Sequence, residues 1–375
     1  MNTEKLDDVV ERAMRSGRVP GAALVVVTPE GSYVKGYGVR AVGTEDAVTD
    51  STRFAIASVS KAFTAAAAWA AQQDGKLNLD DPVRKHLPGF RLLDPAADSS
   101  VTIRDLLCHR TGLPRHDMLW YHSKLDRAEI LRRMAFLKPT ATFRGMYQYS
   151  NLCFLAAGEA IAAAVGQPFE TYLTERLTKP LGMDIRFDGP ALTDTDARPH
   201  RILKRIVTTI EPLSFTNVGP AGFIDASVSD LEKWIRFQLS ENAPKDTHLP
   251  QMVQPMEDAT RRLYPDRIQQ SYALGWSVYD WQGQPVLSHG GAIDGFRSHL
   301  VLLPRQGIGF AILINLGKDY IVEEVRNSLL DHFLKGPRRS WNRGLREEQT
   351  RTETKPERKE KPKRIRPTLP LTEYT

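Results

Sequence analysis

A chain of 375 residues, 41% of them hydrophobic, is long enough for two lobes or one large domain around a sizeable core. The net charge of +6 is not spread evenly: residues 337–375 hold 12 Lys/Arg against 6 Glu, which leaves 39 residues of each sign in the rest of the chain. A neutral body argues against specific nucleic-acid recognition, and no run approaches the roughly 18 apolar residues of a membrane span. The charged start, Met1-Asn-Thr-Glu-Lys, lacks the apolar stretch of a signal peptide, so a soluble cytoplasmic protein is expected.

In chain order, Leu6, Val9, Val10, Ala13 and Met14 recur at helical spacing and predict a helix over 5–15. Residues 21–28 and 32–38, joined by Pro29-Glu-Gly31, predict a strand hairpin. Phe54-Ala-Ile-Ala-Ser58-Val-Ser-Lys61 then leads into an alanine-rich run of high helix propensity that ends near Asp74, so Ser58 is expected in the first turn of a buried helix. From about 101 to 237 the periodic segments read as helices: 102–109, 126–134, 150–165, 168–177 and 229–239. Thr102 and Ser229 are the expected N-caps, and Gly166 and Gly182 the stops. Strand character returns over 272–280, 285–289, 296–303 and 308–315, before a helix over 319–334. The early and late strands are predicted to share one antiparallel sheet flanked by the terminal helices, with a mostly helical lobe over about 62–270. The reading is thus an α/β domain of residues 1–336. The basic, Pro-rich stretch 337–375 lacks a core-forming pattern and is expected to be a tail or linker.

Three polar sets stand out along this frame. On a helix, Ser58 and Lys61 share a face, which brings an amine to a hydroxyl it can help deprotonate. The same spacing at Ser32 and Lys35 falls in a strand, where positions three apart point to opposite faces. Tyr149 and Asn151, flanking Ser150, project the same way from an extended or turn backbone. His289-Gly290-Gly291 is placed at the end of a strand, where the glycines let the backbone approach a ligand and the imidazole points into the same cleft. Cys108 and Cys153 lie in apolar surroundings and read as buried thiols. The His-rich run through His109, His116, Asp117, Trp120 and His122 matches no compact metal-ligand spacing. His116, Asp117 and Trp120 read instead as rim residues that shape specificity, with the aromatics near Trp120 lining a place for an apolar acyl group or peptide side chain.

At Ser58-Val-Ser-Lys61, Tyr149-Ser-Asn151 and His289-Gly-Gly291, in that order, the chain resembles the serine beta-lactamase and penicillin-binding protein superfamily. It is most similar to the branch with class C beta-lactamases, serine D-alanyl-D-alanine carboxypeptidases, D-aminopeptidases and related esterases, over about 5–334. The resemblance implies a beta-lactamase-like transpeptidase fold with Ser58 as nucleophile and either Lys61 or Tyr149 as acylation base. Tyr149 would protonate the leaving group and later activate water. By the same resemblance Asn151, His289, Gly290 and Gly291 bind substrate, the backbone N–H groups of Ser58 and Ala292 form the oxyanion hole, and the loop Gly219-Pro-Ala-Gly-Phe223 lies beside the cleft. No cofactor and no metal are implied. Histidine stands where class C enzymes carry the lysine of Lys-Thr-Gly, which makes efficient beta-lactam hydrolysis the less expected activity. The implied reaction is hydrolysis through an acyl-enzyme of small amides, D-amino-acid peptides or esters, with a small molecule or short peptide as the partner. Acyl transfer in small-molecule biosynthesis and weak beta-lactamase action are the alternatives, and the oligomeric state stays open.

Overall fold

Strand β1 (Gly21–Thr28) is buried at every position. Ala23, Val25 and Val27 face one apolar cluster while Ala22, Leu24 and Val26 face a second, as strand alternation requires when helices cover both sides of a sheet. The structure is a computed structural model that describes residues 1–347 except 188–191, 257–260, 262, 265, 266, 268, 338, 343 and 346.

After β2 (Gly31–Gly38) come β3 (Phe54–Ala55), the hairpin β4 (His200–Leu203) and β5 (Ile206–Thr209), and β6 (Asp225–Ala226), which pairs with β3. The chain then runs through β7 (Met252–Val253), β8 (Gln270–Tyr272), β9 (Ser277–Trp281), β10 (Gln284–Ile293), β11 (Phe296–Leu303) and β12 (Ile308–Ile314). Eight of these form one antiparallel sheet in the order β2-β1-β12-β11-β10-β9-β8-β7. The pairing of β1 with β12, from Ala22↔Ile314 to Val27↔Gly309, joins the early and late strands as predicted.

One face carries the terminal helices Thr3–Gly17 and Asp319–Phe333. Asn2 caps the first by accepting from the Lys5 N–H at 3.1 Å. Behind the other face lies Ser60–Gln73, all of whose alanines are buried, and against it packs Asn151–Val165, with Ala156, Ala157 and Ala160 buried. Thr102 caps Ile103–Leu107 as expected, in a capping box with Asp105.

Five expectations are corrected. Helix Val228–Leu239 belongs with the sheet rather than with a separate lobe: a Cβ on Gly309 of β12 would sit 2.4 Å from Ile235 Cγ2. Its N-cap is Ser227, boxed with Asp230, and not Ser229. The strand expected over 272–280 breaks at Ala273–Trp276 into β8 and β9, while β10 runs unbroken through His289-Gly290-Gly291, so that motif is inside a strand and not at its end. Within the stretch read as linker, Trp341 and Leu345 are buried against the terminal helices, with Trp341 Nε1 donating to Asp331 Oδ2 at 2.8 Å. Residues 348–375 lie outside the described residues. No single described helix is long and apolar enough to cross a membrane.

Candidate active site

Strand β3 delivers Ser58. Ile56 donates its N–H to Ile224 O at 2.9 Å, and Ala57 then takes a left-handed φ of +47°, a strained choice for a residue with a Cβ. Ser58 therefore sits in the 3-10 turn Ala57–Val59, just ahead of helix Ser60–Gln73 and not in its first turn. β10 closes against this turn because residue 291 is glycine: a Cβ there would lie 2.1 Å from Ile56 O. Ser298 Oγ, from β11, donates to the same carbonyl at 2.7 Å. Ser60 is buried and accepts from Ile224 N–H. Ser32 and Lys35 are drawn apart, one to Glu232 at 2.5 Å and the other to Asp7 at 2.8 Å.

Lys61 is fully buried and its Nζ lies 3.1 Å from Ser58 Oγ, 2.8 Å from Asn151 Oδ1 and 2.6 Å from Ala221 O. Asp117 decides which way the Asn151 amide faces: a carboxylate only accepts, so Nδ2 donates to Asp117 Oδ1 at 3.1 Å and Oδ1 is left for Lys61. Burial pushes the Lys61 amine well below its ordinary value, and the Arg115 charge pushes in the same direction. Tyr149 OH donates to Ser58 Oγ at 2.8 Å, and burial raises its pKa well above 10, so it remains a phenol at neutral pH.

His109 pins the segment that carries Tyr149. Its carbonyl accepts from Gln148 N–H at 2.8 Å and its Nδ1 from Ser150 N–H at 3.1 Å, so a side chain supplies the second rung of a short ladder. The imidazole lies between the rings of Tyr149 and Tyr272, at 4.4 and 4.8 Å between centroids. Tyr272 OH meets His289 Nε2 at 2.9 Å, and His289 Nδ1 donates to Gly290 O at 2.7 Å. Burial lowers the His289 pKa to about 3. His289 is therefore a neutral wall of the cleft with both nitrogens engaged, and β10 is exposed beside it at Gly290 and Ala292. Ser58, Tyr149, His289, Gly290, Gly291 and Ala292 line a cavity of about 290 Å³, with Asn151 on a smaller adjoining one of about 60 Å³.

Residues 6–331 match the family profile described as Beta-lactamase. The chain belongs to the Beta-lactamase family. It is 27% identical over 343 residues to Protein flp of Staphylococcus aureus (strain MRSA252), covering 88% of this chain and 66% of that protein, so it spans just under two thirds of that relative's length. The same fold occurs in a class C beta lactamase from Rhodobacter sphaeroides, at a TM-score of 0.72 and 20% identity over 88% of this chain and 99% of that one. It occurs also in a D-stereospecific amidohydrolase from Streptomyces sp., at a TM-score of 0.70 and 23% identity over 88% and 98% of the two chains.

In this Beta-lactamase-family chain the predicted motif residues converge, while His116 does not join them: its ring reaches Lys138 O at 3.4 Å. Asp117 is more than a rim residue, since it also takes Trp120 Nε1 at 2.8 Å and Arg115 Nε at 2.6 Å. The loop Gly219–Phe223 backs the site through Ala221 O on Lys61 and Pro220 O on Thr64 Oγ1. Among the described residues no group of three or more His, Cys, Asp or Glu side chains could hold a metal ion. Sequence reasoning missed Arg115, Tyr272 and the structural role of His109. For His109 the only signal was a polar cluster right after a short helix.

Proposed function

We propose that this chain is a serine hydrolase that forms an acyl-enzyme at Ser58 on small amide, D-amino-acid peptide or ester substrates. The observation that carries the reading is the hydrogen-bond set of Lys61. Asn151 Oδ1 and Ala221 O only accept, so a neutral amine spends its two hydrogens on them and turns its lone pair to Ser58 Oγ. That makes Lys61 the acylation base and Tyr149, held as a phenol, the proton donor.

In this reading Ser58 Oγ attacks the carbonyl carbon as its proton passes to Lys61 Nζ. The oxyanion forms against the N–H groups of Ser58 and Ala292. Tyr149 protonates the departing amine or alcohol and is restored by the Lys61 ammonium, whose nitrogen lies 4.8 Å from the Tyr149 ring centroid. Water then enters in place of the leaving group, gives a proton back along the same path and releases the acid. The D-stereospecific amidohydrolase of the same fold motivates D-aminoacyl amides as first substrates, beside their L-isomers and simple esters.

Intact-mass measurement with an acylating probe tests the reading. One adduct is expected on the parent chain and on Ser32→Ala, and none on Ser58→Ala. An undiminished adduct on Ser58→Ala overturns it.

A further inference from the structure

Beyond the edge of β10 at Ala292 lies a chamber of about 500 Å³, within the range of small-molecule sites. Three guanidinium groups line it, those of Arg115, Arg201 and Arg297, against the carboxylates of Asp117 and Asp294. Both acids are already engaged. Asp117 takes Arg115, Trp120 and Asn151, and Asp294 takes Tyr121 OH at 2.9 Å on each oxygen.

The cations are differently placed. Arg297 is steadied by the carbonyls of Ile293 and Phe296, at 2.9 and 2.7 Å. Arg115 uses Nε on Asp117, and no described residue accepts a hydrogen bond from either of its terminal nitrogens. No described acid pairs with Arg201. Its strand β4 is nonetheless fixed: the buried His200 beside it bonds Asn315 O at 2.8 Å and accepts from Val42 N–H at 3.0 Å. Trp120 is only 8% exposed and its N–H is spent; it borders this charged chamber on one side and, with Phe215 and Val218, the small cavity beside Ser58 on the other.

The direction of a bound substrate follows from the site. Tyr149 and His289 flank the upstream part of β10, whereas Ile293, Asp294 and Gly295 carry the strand on into the chamber. A leaving group that takes its proton from Tyr149 lies on the first side. The acyl group departs from the carbonyl carbon in the opposite direction, toward Arg201; Arg115, whose guanidinium lies 4.8 Å over the Tyr149 ring, and Arg297 line both cavities and stand where the two meet.

We propose that this chamber is the acyl-side subsite and takes an acyl group ending in a carboxylate, such as one half of a dicarboxylic acid or an acidic amino acid joined through its carbonyl. The inference rests on the acyl-serine reading above and narrows its substrate class. Arg115 and Arg201 hold the anion, with Arg297 adding charge from the β11 side. Guanidinium forks match carboxylates in shape as well as charge.

Matched boronic acids test this on the full chain, because boron takes the place of the carbonyl carbon on the serine and its aryl group takes the acyl position. Calorimetric binding of meta-carboxyphenylboronic acid is compared with that of its neutral isostere, meta-carbamoylphenylboronic acid. The parent should prefer the carboxylate by roughly tenfold at low salt, a preference that shrinks as ionic strength rises from about 0.01 M to about 1 M. Arg201→Gln should reduce the preference, and the double variant with Arg115→Gln should bring the ratio to about one. Since Arg115 also braces Asp117, Arg201→Gln is the variant that leaves Asn151 undisturbed. Equal or weaker binding of the carboxylate by the parent, or a ratio unchanged in the double variant, overturns the inference while leaving the serine reading intact. Binding of neither acid by the parent, or binding of both that survives Ser58→Ala, fails the serine reading itself and the inference with it.

Discussion

Lys61 is a buried amine with three partners, and in the proposed reaction it must be neutral to accept the Ser58 proton. Lys61→Met and Tyr149→Phe should each lower kcat/KM by about 10²- to 10⁴-fold, as expected for lost proton transfer. Stability should not fall with activity in Lys61→Met, because removing a desolvated amine relieves a burial cost. On the acid side, kcat/KM should rise with pH as Lys61 loses its proton. His289, near 3, should add no inflection between pH 5 and 8. A pH–rate profile that steps near 6.5 in the parent but not in His289→Gln would contradict a neutral His289. His109 offers a second residue-level test. It holds a left-handed φ of +60° and accepts a backbone hydrogen bond through Nδ1, two demands that asparagine meets and leucine does not. His109→Asn should therefore keep much more of kcat than His109→Leu, with KM similar in both.

At the scale of elements, β10 is the part whose placement decides whether there is a site. Gly291 allows it to approach the turn that carries Ser58, and an added methyl would meet the backbone oxygen of Ile56 at 2.1 Å, an atom that cannot swing aside. At Gly290 the nearest atom would be His299 Nδ1, at 3.2 Å, a side chain with some freedom. Gly291→Ala should destabilise by about 1–3 kcal/mol and slow acylation sharply, and Gly290→Ala should do less of both. Thermal unfolding and the rate of adduct formation on Ser58 measure the two effects separately. Equal behaviour of the two variants would mean that the strand is not held by this contact.

For the whole molecule, pH and chain length test how the layers hold together. Burial depresses the pKa values of His109, His248, His289 and His299 below the ordinary 6.5, to about 4 for His248 and about 3 for His289. As pH falls through 6.5 the unfolded chain takes these protons first. Stability is therefore full above that value and is lost toward pH 4 and below, at roughly 1.4 kcal/mol per pH unit for each such histidine. The melting temperature should drop steeply between pH 6.5 and 4, and His248→Gln, remote from Ser58, should flatten the slope. A level melting temperature over that window would rule out the buried neutral set. Chain length gives the second test. A chain ending at residue 336 loses the burial of Trp341 and Leu345 against the terminal helices, whereas one ending at 349 keeps it. The first should melt well below the second, by an amount typical of deleting large core side chains, about 3–5 kcal/mol.

The sequence by itself determined the α/β class, the joining of early and late strands, and the three motifs. Strand alternation, helical spacing and glycine at tight approaches are local signals that survive without contacts. Their order, Ser58 with Lys61, then Tyr149 with Asn151, then His289, was legible for the same reason. The tertiary structure alone decided what those residues are bound to. That Asp117 orients Asn151, that Lys61 has two pure acceptors beside Ser58, and that Tyr272 occupies His289 Nε2 all depend on groups 17 to 160 positions apart, from Tyr272–His289 to Lys61–Ala221. Proton location follows from burial and from hydrogen-bond partners, and both arise only when distant segments meet. The charged chamber was hidden for the same reason: Arg115, Arg201 and Arg297 are ordinary surface residues in the sequence and become one wall only when the β4–β5 hairpin, β11 and the loop after Leu113 close around β10.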